Sequence, residues 1–395
     1  MSLPLLVLAV TVGLCLYTYL GYPAILKLLS LRRRARNATP RRAVSGGGLP
    51  RISIVLPVYN EAAVIADTIE RILAIDYPAN RRQILVVSDA STDGTDEIVA
   101  RFAHRGIELL RLPRRQGKTA AENAARQLLT GEIIVNTDAS VRIDLAAIKE
   151  LVGAFDDASV GVASARDVSV ANLAERVKGG EGAYVGYEMW IRDLETAVDG
   201  IVGASGCLYA IRSDLHMRSI PEELSRDFAA ALTAREQGWR AVSVPEAICY
   251  VPRGDSLHQE YRRKVRTITR GMATLGYKRV LLNPVRYGAF AWMLFSHKVC
   301  RWLLPWALVA ALAALGALAF SAGWARVVLG AGAAGVLLAA IAWLWPEGAR
   351  LPRLVALPGY VVAGNIAVLQ AWLRVLAGRA APVWEPTRRG ALPSS

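Results

Sequence analysis

A chain of 395 residues is longer than an average domain, and 53% of its residues are hydrophobic, which is too apolar for a soluble protein of this length. Much of the net charge of +14 lies beside apolar segments, and aromatic residues are not interleaved with the basic ones, so we predict no nucleic-acid partner. The four cysteines and four histidines are scattered, and they form neither a disulfide framework nor a zinc motif.

Three uncharged apolar runs are each long enough to cross the hydrocarbon core of a membrane: 3–26, 302–325 and 327–346. A fourth run, 354–373, is interrupted by a proline and two amides. The sequence therefore predicts an integral membrane protein with three or four crossing helices.

The first apolar run favours a retained helix over a signal peptide. No basic residue precedes it, it is longer than a typical signal core, and it lacks a clear cleavage site. Six arginines follow between positions 32 and 42. By the positive-inside rule, these arginines place the N-terminus outside and the following domain in the cytoplasm.

After a basic and glycine-rich linker at 31–50, short apolar strands alternate with helical stretches. We predict strands at 52–56, 84–87, 107–111, 132–136 and 159–165, and helices at 62–75, 95–104, 119–129, 181–197 and 227–237. Strands that are apolar throughout and alternate with helices are typical of a parallel sheet covered on both faces. The predicted fold class is therefore α/β.

Polar residues follow these strands abruptly. Tyr59, Asn60 and Glu61 follow the first strand, and Asp89, Ser91 and Asp93 follow the second. In open α/β sheets, ligands bind in the crevice at the carboxyl ends of the strands. We therefore predict a nucleotide-sized site there.

The two segments PVYNE (57–61) and SDASTDGT (88–95) resemble the opening of family 2 glycosyltransferases. The resemblance implies a GT-A fold, which is Rossmann-like with a mostly parallel sheet. It also implies that Pro57, Tyr59, Glu61 and Asp89 contact a nucleotide-sugar. Another kind of nucleotide-binding α/β domain is the alternative.

The resemblance also implies a divalent metal site. Asp138 occupies a position where the family usually has Asp-x-Asp, whose carboxylates bind Mg²⁺ or Mn²⁺ on the donor diphosphate. Ser140 replaces the second acid, so either Ser140 coordinates weakly or through water, or another acid such as Asp144 contributes. A turn or helix cap is the alternative role for Asp138.

Two further residues on the donor side follow from the resemblance. Asp89 looks like the acid that accepts a hydrogen bond from the base, which favours a uridine donor. Lys118 begins a helix beside the nucleotide, where its charge and the helix N-terminus both favour anions. Asp93 is as well suited to capping as to ligand contact.

The acceptor side is predicted from the middle of the chain. Ser205 and Gly206 resemble a small-residue turn near the sugar, although a tight hairpin explains them equally well. Asp227 resembles the family's general base, which takes the proton of the acceptor hydroxyl in an inverting transfer. An N-cap role for Asp227 is compatible with this. Arg226 occupies the position of the acid that precedes this base in the family.

A last motif resembles the QxxRW sequence of processive members such as cellulose and hyaluronan synthases. Gln259 and Arg262 match it, and Arg263 replaces the tryptophan, which puts processivity in doubt. The arginines suit a diphosphate, and a lipid-facing basic stripe is the alternative.

We therefore predict a membrane-bound inverting glycosyltransferase that uses a nucleotide-sugar donor and a lipid-linked or polysaccharide acceptor. The alternatives are a processive polysaccharide synthase and a non-catalytic membrane scaffold. The predicted segments are an N-terminal transmembrane helix (1–30), a linker (31–50), a GT-A domain (51–282), an interfacial helix (283–301), a C-terminal transmembrane region (302–378) and a tail (379–395).

Overall fold

A computed structural model describes residues 2–36, 48–170, 180–252, 256–346 and 351–379. Most of the predicted linker and nearly all of the predicted tail lie outside these residues. The chain divides into two compact units. The helical unit comprises Met1–Leu29, Gly254–Met272 and Leu282–Ala381, and the sheet unit comprises Ser30–Arg253, Ala273–Leu281 and Pro382–Ser395.

The described residues form eight strands and fourteen α-helices. The strands are β1 (Ile52–Val58), β2 (Arg82–Ser88), β3 (Ile107–Arg111), β4 (Ile133–Thr137), β5 (Arg142–Ile143), β6 (Val160–Val170), β7 (Leu208–Arg212) and β8 (Arg240–Pro252). The helices are α1 (Leu3–Leu16), α2 (Tyr22–Arg36), α3 (Ile65–Leu73), α4 (Thr95–Ala100), α5 (Lys118–Ala125), α6 (Ala147–Gly153), α7 (Gly180–Val198), α8 (Ser213–His216), α9 (Arg226–Glu236), α10 (Leu257–Tyr277), α11 (Pro284–Leu294), α12 (Cys300–Ala319), α13 (Gly323–Trp343) and α14 (Arg353–Leu376).

The sheet unit is built on one mixed sheet with the strand order β3-β2-β1-β4-β7-β6-β8-β5. The first four strands in this order are parallel to one another. β7 is antiparallel to its neighbours β4 and β6. β6 and β8 are parallel to each other, and β5 is antiparallel to β8. Because β1, β2 and β4 are parallel neighbours, their carboxyl ends lie at one edge of the sheet.

Alternation along β1 explains why the sheet needs helices on both faces. Ile54 and Leu56 belong to a core shared with α3 and α6, whereas Val55 belongs to a core shared with α5 and α9. All seven residues of β1 are buried. A strand buried on both faces is apolar throughout, as parallel sheets require.

The predicted βα alternation is confirmed up to β4, with element ends shifted by a few residues. The predicted helices at 181–197 and 227–237 correspond to α7 and α9. The predicted strand 159–165 is longer in the structure, where β6 continues to Val170. The predicted α/β class is likewise confirmed.

Within the part of the chain that the structure describes, four helical stretches are long and apolar enough to cross a membrane. They are Leu3–Arg32, Pro284–Ala319, Gly323–Trp343 and Arg353–Leu376. The two longest each include a π-helical turn, at Tyr17–Gly21 and at Phe295–Val299. The ends of these helices differ from the ends of the apolar runs predicted from the sequence. Backbone geometry determines where a helix ends, whereas the runs were delimited by charged residues.

Residues 284–319 form a helical stretch that a kink at Gly288 divides. Gly288 bends it, with φ 51° and ψ −125°, a conformation that glycine adopts without steric cost. The residues predicted as a separate interfacial helix, 283–301, thus lead directly into a long apolar helix. Their position at a membrane interface stays a prediction.

Helix α14 packs through small residues. It buries Gly359, Ala363, Ala367 and Ala371 at every fourth position, so they share one face. A Cβ on Gly359 would lie 2.7 Å from the Cβ of Ala342 in α13. Small residues at such spacing let helix backbones approach closely in membranes.

The polar residues that interrupt the fourth apolar run have partners. Asn365 donates from Nδ2 to the carbonyl of Val361 (2.8 Å), and Gln370 accepts a bond from the Tyr261 hydroxyl (2.7 Å). Each polar group thereby has a hydrogen bond that makes its place in an apolar helix less costly.

Candidate active site

The loops after β1 and β2 are joined by hydrogen bonds. Asn60 and Ala90 both have positive φ, at 53° and 58°. Asn60 accepts a bond from the backbone N–H of Thr92 at 2.8 Å and donates its own N–H to Ser91 Oγ at 3.2 Å. Non-glycine residues held at positive φ are uncommon and concentrate at functional sites. Hydrogen bonds thus join the two loops into one structure at the carboxyl edge of the sheet.

Asp93 fixes the same loops. Its Oδ2 accepts the N–H of Ala62 (3.0 Å), and its Oδ1 accepts both the N–H and the hydroxyl of Thr95. Burial raises the pKa of Asp93, but the bonds from Thr95 and Ala62 outweigh it and leave the pKa below its ordinary value. Capping, one of the two roles foreseen for Asp93, explains these contacts.

The residues predicted to contact the nucleotide from β1 lie at this edge. Pro57 is buried within β1, and the ring of Tyr59 stacks under the guanidinium of Arg115 at 3.9 Å. The N–H of Glu61 donates to Thr95 Oγ1 (2.9 Å). A flat pair formed by a tyrosine ring and an arginine presents a surface suited to a base or a phosphate.

Asp89 is 1% exposed and has a structural task. Its two carboxylate oxygens accept the backbone N–H groups of Gln116 (2.7 Å) and Gly117 (2.8 Å), just before α5. Asp89 thereby holds the end of β2 to the start of the helix that carries Lys118. Each oxygen retains a second lone pair, so Asp89 can still accept a hydrogen bond from a base. That contact stays a prediction.

Lys118 and Asp138 form an ion pair. Lys118 Nζ lies 2.5 Å from Asp138 Oδ1 and 3.1 Å from the carbonyl oxygen of Gly206. Burial lowers the pKa of Lys118, but the nearby carboxylates of Asp138 and Glu122 outweigh this and raise it above its ordinary value. Lys118 therefore carries its positive charge at neutral pH, between β4 and the loop before β7.

Asp227 lies on the other side of Gly206. Its Oδ1 accepts a bond from Ser225 Oγ (2.5 Å), and its Oδ2 lies 2.7 Å from the place where a Cβ on Gly206 would be. Asp227 also raises the pKa of Lys118, although more weakly than Asp138 does. The structure thus brings Asp138, Lys118, Gly206 and Asp227 together, although they come from four separate parts of the sequence.

Further ionisable groups lie beneath these residues. Glu122 and Arg226 are 1% and 4% exposed, and Arg226 Nε lies 3.9 Å from Glu122 Oε2. Burial raises the pKa of Glu122, while Lys118 and Arg226 oppose that shift. The Tyr209 hydroxyl is also buried, and burial together with Glu122 raises its pKa well above the ordinary value.

Sequence reasoning missed Glu122, Tyr209 and His216. A signal existed for Glu122, because it lies four residues after Lys118 in a helix made mostly of alanine, and such residues share a face. Tyr209 and His216 reach the cluster only through pairing of β7 with β4 and through the chain that follows β7. No local pattern marks them.

Three more predicted residues belong to the sheet unit: Ser205, Ser140 and Asp144. Ser205 immediately precedes Gly206 in the sequence. It is 2% exposed, and its hydroxyl donates a hydrogen bond to Asp167 (2.7 Å). Ser140 lies in the turn after β4, two residues beyond Asp138. Asp144 accepts the N–H of Ala146 (3.1 Å) before α6.

Gln259, Arg262 and Arg263 lie on the part of α10 that belongs to the helical unit. Arg263 donates two bonds to Glu260, at 2.8 and 2.9 Å, within the same helix. Their predicted contact with the donor diphosphate stays a prediction.

Part of the chain is similar to a known family. Residues 53–209 match the model of glycosyl transferase family 2. A beta-monoglucosyldiacylglycerol synthase from Nostoc sp. is 31% identical over 161 residues, which are 39% of this chain and 34% of that protein. A poly-beta-1,6-N-acetyl-D-glucosamine synthase from Staphylococcus epidermidis is 31% identical over 94 residues, which are 24% of this chain and 22% of that protein. The chain thus spans about a third or less of these two curated relatives.

A solved structure shares the fold. The mannosyltransferase PcManGT from Pyrobaculum calidifontis, in complex with GDP-Man and Mn²⁺, matches with a TM-score of 0.69. The match covers 94% of this chain and 99% of that chain at 23% sequence identity. It confirms the predicted GT-A fold.

Proposed function

Because residues 53–209 match glycosyl transferase family 2, we propose that this protein is a membrane-bound inverting glycosyltransferase. Its donor is a nucleotide-sugar, and its acceptor is a lipid-linked glycan or a polysaccharide. One observation carries this proposal: Asp138 and Asp227 flank Lys118 and Gly206 at a single centre beside the carboxyl ends of the parallel strands.

In the proposed reaction Asp227 is the general base. It takes the proton of the acceptor hydroxyl while that oxygen forms a bond to the anomeric carbon, and the bond from this carbon to the diphosphate breaks on the opposite side. The nucleoside diphosphate leaves with the bonding electrons, so the configuration inverts. A well-placed base contributes about 10²–10⁴ in rate. The bond from Ser225 to Oδ1 supports this role, because it fixes the carboxylate and leaves Oδ2 directed toward Gly206.

The donor diphosphate is the proposed partner of Lys118 and Asp138. Among the described residues, Asp138 and Asp227 place their carboxyl groups beside Lys118. Their oxygen atoms fit a hard divalent cation such as Mg²⁺ or Mn²⁺. No group of three or more possible ligands forms a cage among the described residues. That favours a cation held by Asp138, with Ser140 beside it, together with phosphate and water.

A bound cation would supply Lewis-acid stabilisation of the departing diphosphate. Lys118 adds a fixed positive charge at the same place, and we propose that it moves from Asp138 toward the phosphates when the donor binds. A uridine donor is proposed from Asp89, although the solved relative of the same fold binds GDP-Man.

The proposed acceptor class rests on the relatives and on the apolar helices. One matching relative is named for a glucosyl-diacylglycerol and another for a polysaccharide. Four helices that are long and apolar enough to cross a membrane suit an acceptor that is itself held in the membrane. We place the sheet unit in the cytoplasm at a bacterial inner membrane, from the arginines that follow the first apolar helix.

A processive polysaccharide synthase is the second candidate, favoured by the matching polysaccharide synthase. Arg263 at the position of the family tryptophan argues against it, because polymer-tracking sites use aromatic platforms. The length of the product separates the two, since a single addition yields one sugar per acceptor.

The experiment that tests the proposal is a screen of nucleotide-sugars with purified full-length protein and membrane lipid extract, with Mn²⁺ or Mg²⁺ present. We expect one donor to yield a glycosylated product and a free nucleoside diphosphate, as measured by mass spectrometry. Asp227→Asn provides the matched background. The proposal fails if no donor gives transfer above that background.

A further inference from the structure

Arg226 is anchored inside the protein at the position where the family resemblance leads one to expect an acid. Its Nη1 donates to Asn123 Oδ1 (2.6 Å) and its Nη2 to the carbonyl of His216 (2.7 Å). Its Nε faces Glu122 at 3.9 Å, and both side chains are almost fully buried. A buried guanidinium with two hydrogen bonds and a carboxyl group within ion-pair distance has a structural role, so Arg226 is more than a lost catalytic acid.

Other contacts join the same two parts of the chain. Helix α5 holds the segment that leads into α9 through Thr119 Oγ1, which donates to the carbonyl of Leu224 (2.9 Å), and through Asn123 Nδ2, which donates to the carbonyl of Ile220 (2.7 Å). Arg126, just after α5, donates to the carbonyl of Met217 (2.7 Å). Hydrogen bonds from α5 and from Arg126 thus hold residues 216–226 in place.

Each of the two joined helices, α5 and α9, contains a residue of the proposed reaction. Glu122 lies four residues after Lys118 on α5, and Arg226 immediately precedes Asp227 in the first turn of α9. A contact between Glu122 and Arg226 therefore fixes the separation between Lys118 and Asp227.

We propose that the buried Glu122–Arg226 ion pair is a positioning device that holds Asp227 in register with Lys118. This inference rests on the proposed function, in which Lys118 serves the donor and Asp227 the acceptor. Replacing a buried ion pair with apolar or neutral groups of similar volume is often neutral for stability, whereas removing one partner leaves an unpaired buried charge. Stability and positioning can therefore be separated by changing both residues together.

The test uses the full-length double variant Glu122→Gln/Arg226→Met. We expect it to fold with a melting temperature close to that of the wild type and to keep its KM for the donor. We expect kcat to fall by roughly ten- to a hundredfold, because a small misplacement of a reacting group costs this much. Arg226→Lys keeps the charge but loses the forked hydrogen bonds, so its kcat should be intermediate.

The matched control is Asp199→Asn/Arg235→Met. This pair joins Arg235 of α9 to Asp199, which follows α7, at 2.5 Å, and each of the two side chains is about a fifth exposed. It has no contact with the proposed reacting groups among the described contacts. We expect its kcat to stay within about twofold of the wild type, since it removes a pair of partly exposed charges.

Hydrogen exchange at residues 217–225 tests the positioning without any turnover, so it remains informative even if the proposed function fails. We expect faster exchange there in the Glu122→Gln/Arg226→Met variant and no change in the control. Unchanged exchange in that segment, or a folded double variant with the kcat of the wild type, would overturn the inference.

Discussion

Gly206 lies between the two acidic residues on which the proposed chemistry depends. Its carbonyl accepts a bond from Lys118, and the space where a side chain would begin is taken by Asp227 Oδ2 at 2.7 Å. Real Cβ atoms essentially never approach an atom so closely, so a side chain at this position would displace the Asp227 carboxylate.

Gly206→Ala should therefore displace the Asp227 carboxylate. We expect kcat to fall by roughly 10²-fold while the protein stays folded, because a shift of about 1 Å at a reacting group costs this much. Steady-state kinetics with the donor found in the screen measures it. Gly153→Ala is the control, since a Cβ there meets nothing within 4 Å. Equal activity in the two variants would contradict the placement of Asp227.

His216 gives the sheet unit a predictable dependence on pH. It is 1% exposed, and burial, followed by the charges of Arg226 and Arg126, lowers its pKa well below the ordinary value of 6.5. In the folded protein it stays neutral, whereas the unfolded chain takes up a proton below pH 6.5. The unfolded state then binds more protons, so the stabilisation is complete above this pH and is lost as pH falls.

We expect the free energy of unfolding to fall by about 1 kcal/mol between about pH 7.5 and about pH 5.5 on account of this residue. His216→Leu should remove that part of the slope in thermal unfolding measured across this range. His104→Leu, at an exposed position, should keep it. A His216→Leu variant with the full slope would refute the assignment.

At the scale of elements, α5 and α14 show two different uses of small residues. In α5, alanines let the helix pack against the sheet while its polar side chains serve the site. In α14, glycine and alanine at every fourth position let the helix approach α13.

Gly359→Leu should force α13 and α14 apart, because even a Cβ at this position lies 2.7 Å from that of Ala342. Overpacking of this kind costs about 1–3 kcal/mol. We expect a lower melting temperature in detergent, measured by tryptophan fluorescence. Gly335→Leu on α13 is matched in chemistry, and a Cβ there meets nothing within 4 Å. A drop of the same size in both variants would count against the close approach of the two helices.

The sequence predicted the elements up to β4 because apolar strands and helical stretches alternate there with clear breaks. It did not predict β7 or β8. β8 includes Pro245 and Glu246, and its pairing with β6 shifts register between Val244 and Ile248, so no regular pattern marks it. β5 has only two residues.

The same limit applies to the site. Asp89 was recognisable as a polar residue after a strand, but its bonds to Gln116 and Gly117 depend on tertiary structure. Arg226 was recognisable as a departure from the family pattern, whereas its partner Glu122 lies in a distant helix. Contacts between residues far apart in sequence are invisible to local patterns.

At the scale of the whole molecule, the number of membrane crossings sets which side each end occupies. With four crossing helices, one before the sheet unit and three after it, Ser2 and Arg379 are both predicted outside, and the loop after α13 inside. An interfacial α14 would instead keep Arg379 inside. The arginines at 388 and 389 favour that second arrangement by the positive-inside rule, whereas the length and packing of α14 favour the first.

Single cysteines at Ser2, Trp345 and Arg379 in a cysteine-free background test the topology. A membrane-impermeant maleimide added to intact cells should label Ser2→Cys and Arg379→Cys but not Trp345→Cys, until the cells are opened. Labelling of Ser2→Cys alone would show that α14 does not cross the membrane.

Transfer and donor binding can be measured together in Asp227→Asn, Asp138→Ala and the exposed control Asp156→Asn. We expect Asp227→Asn to lose transfer but bind the donor normally, Asp138→Ala to bind the donor weakly in the presence of metal, and Asp156→Asn to match the wild type. Near-normal turnover in Asp227→Asn, or unchanged donor binding in Asp138→Ala, would contradict a site in which these two carboxylates act on opposite sides of one sugar.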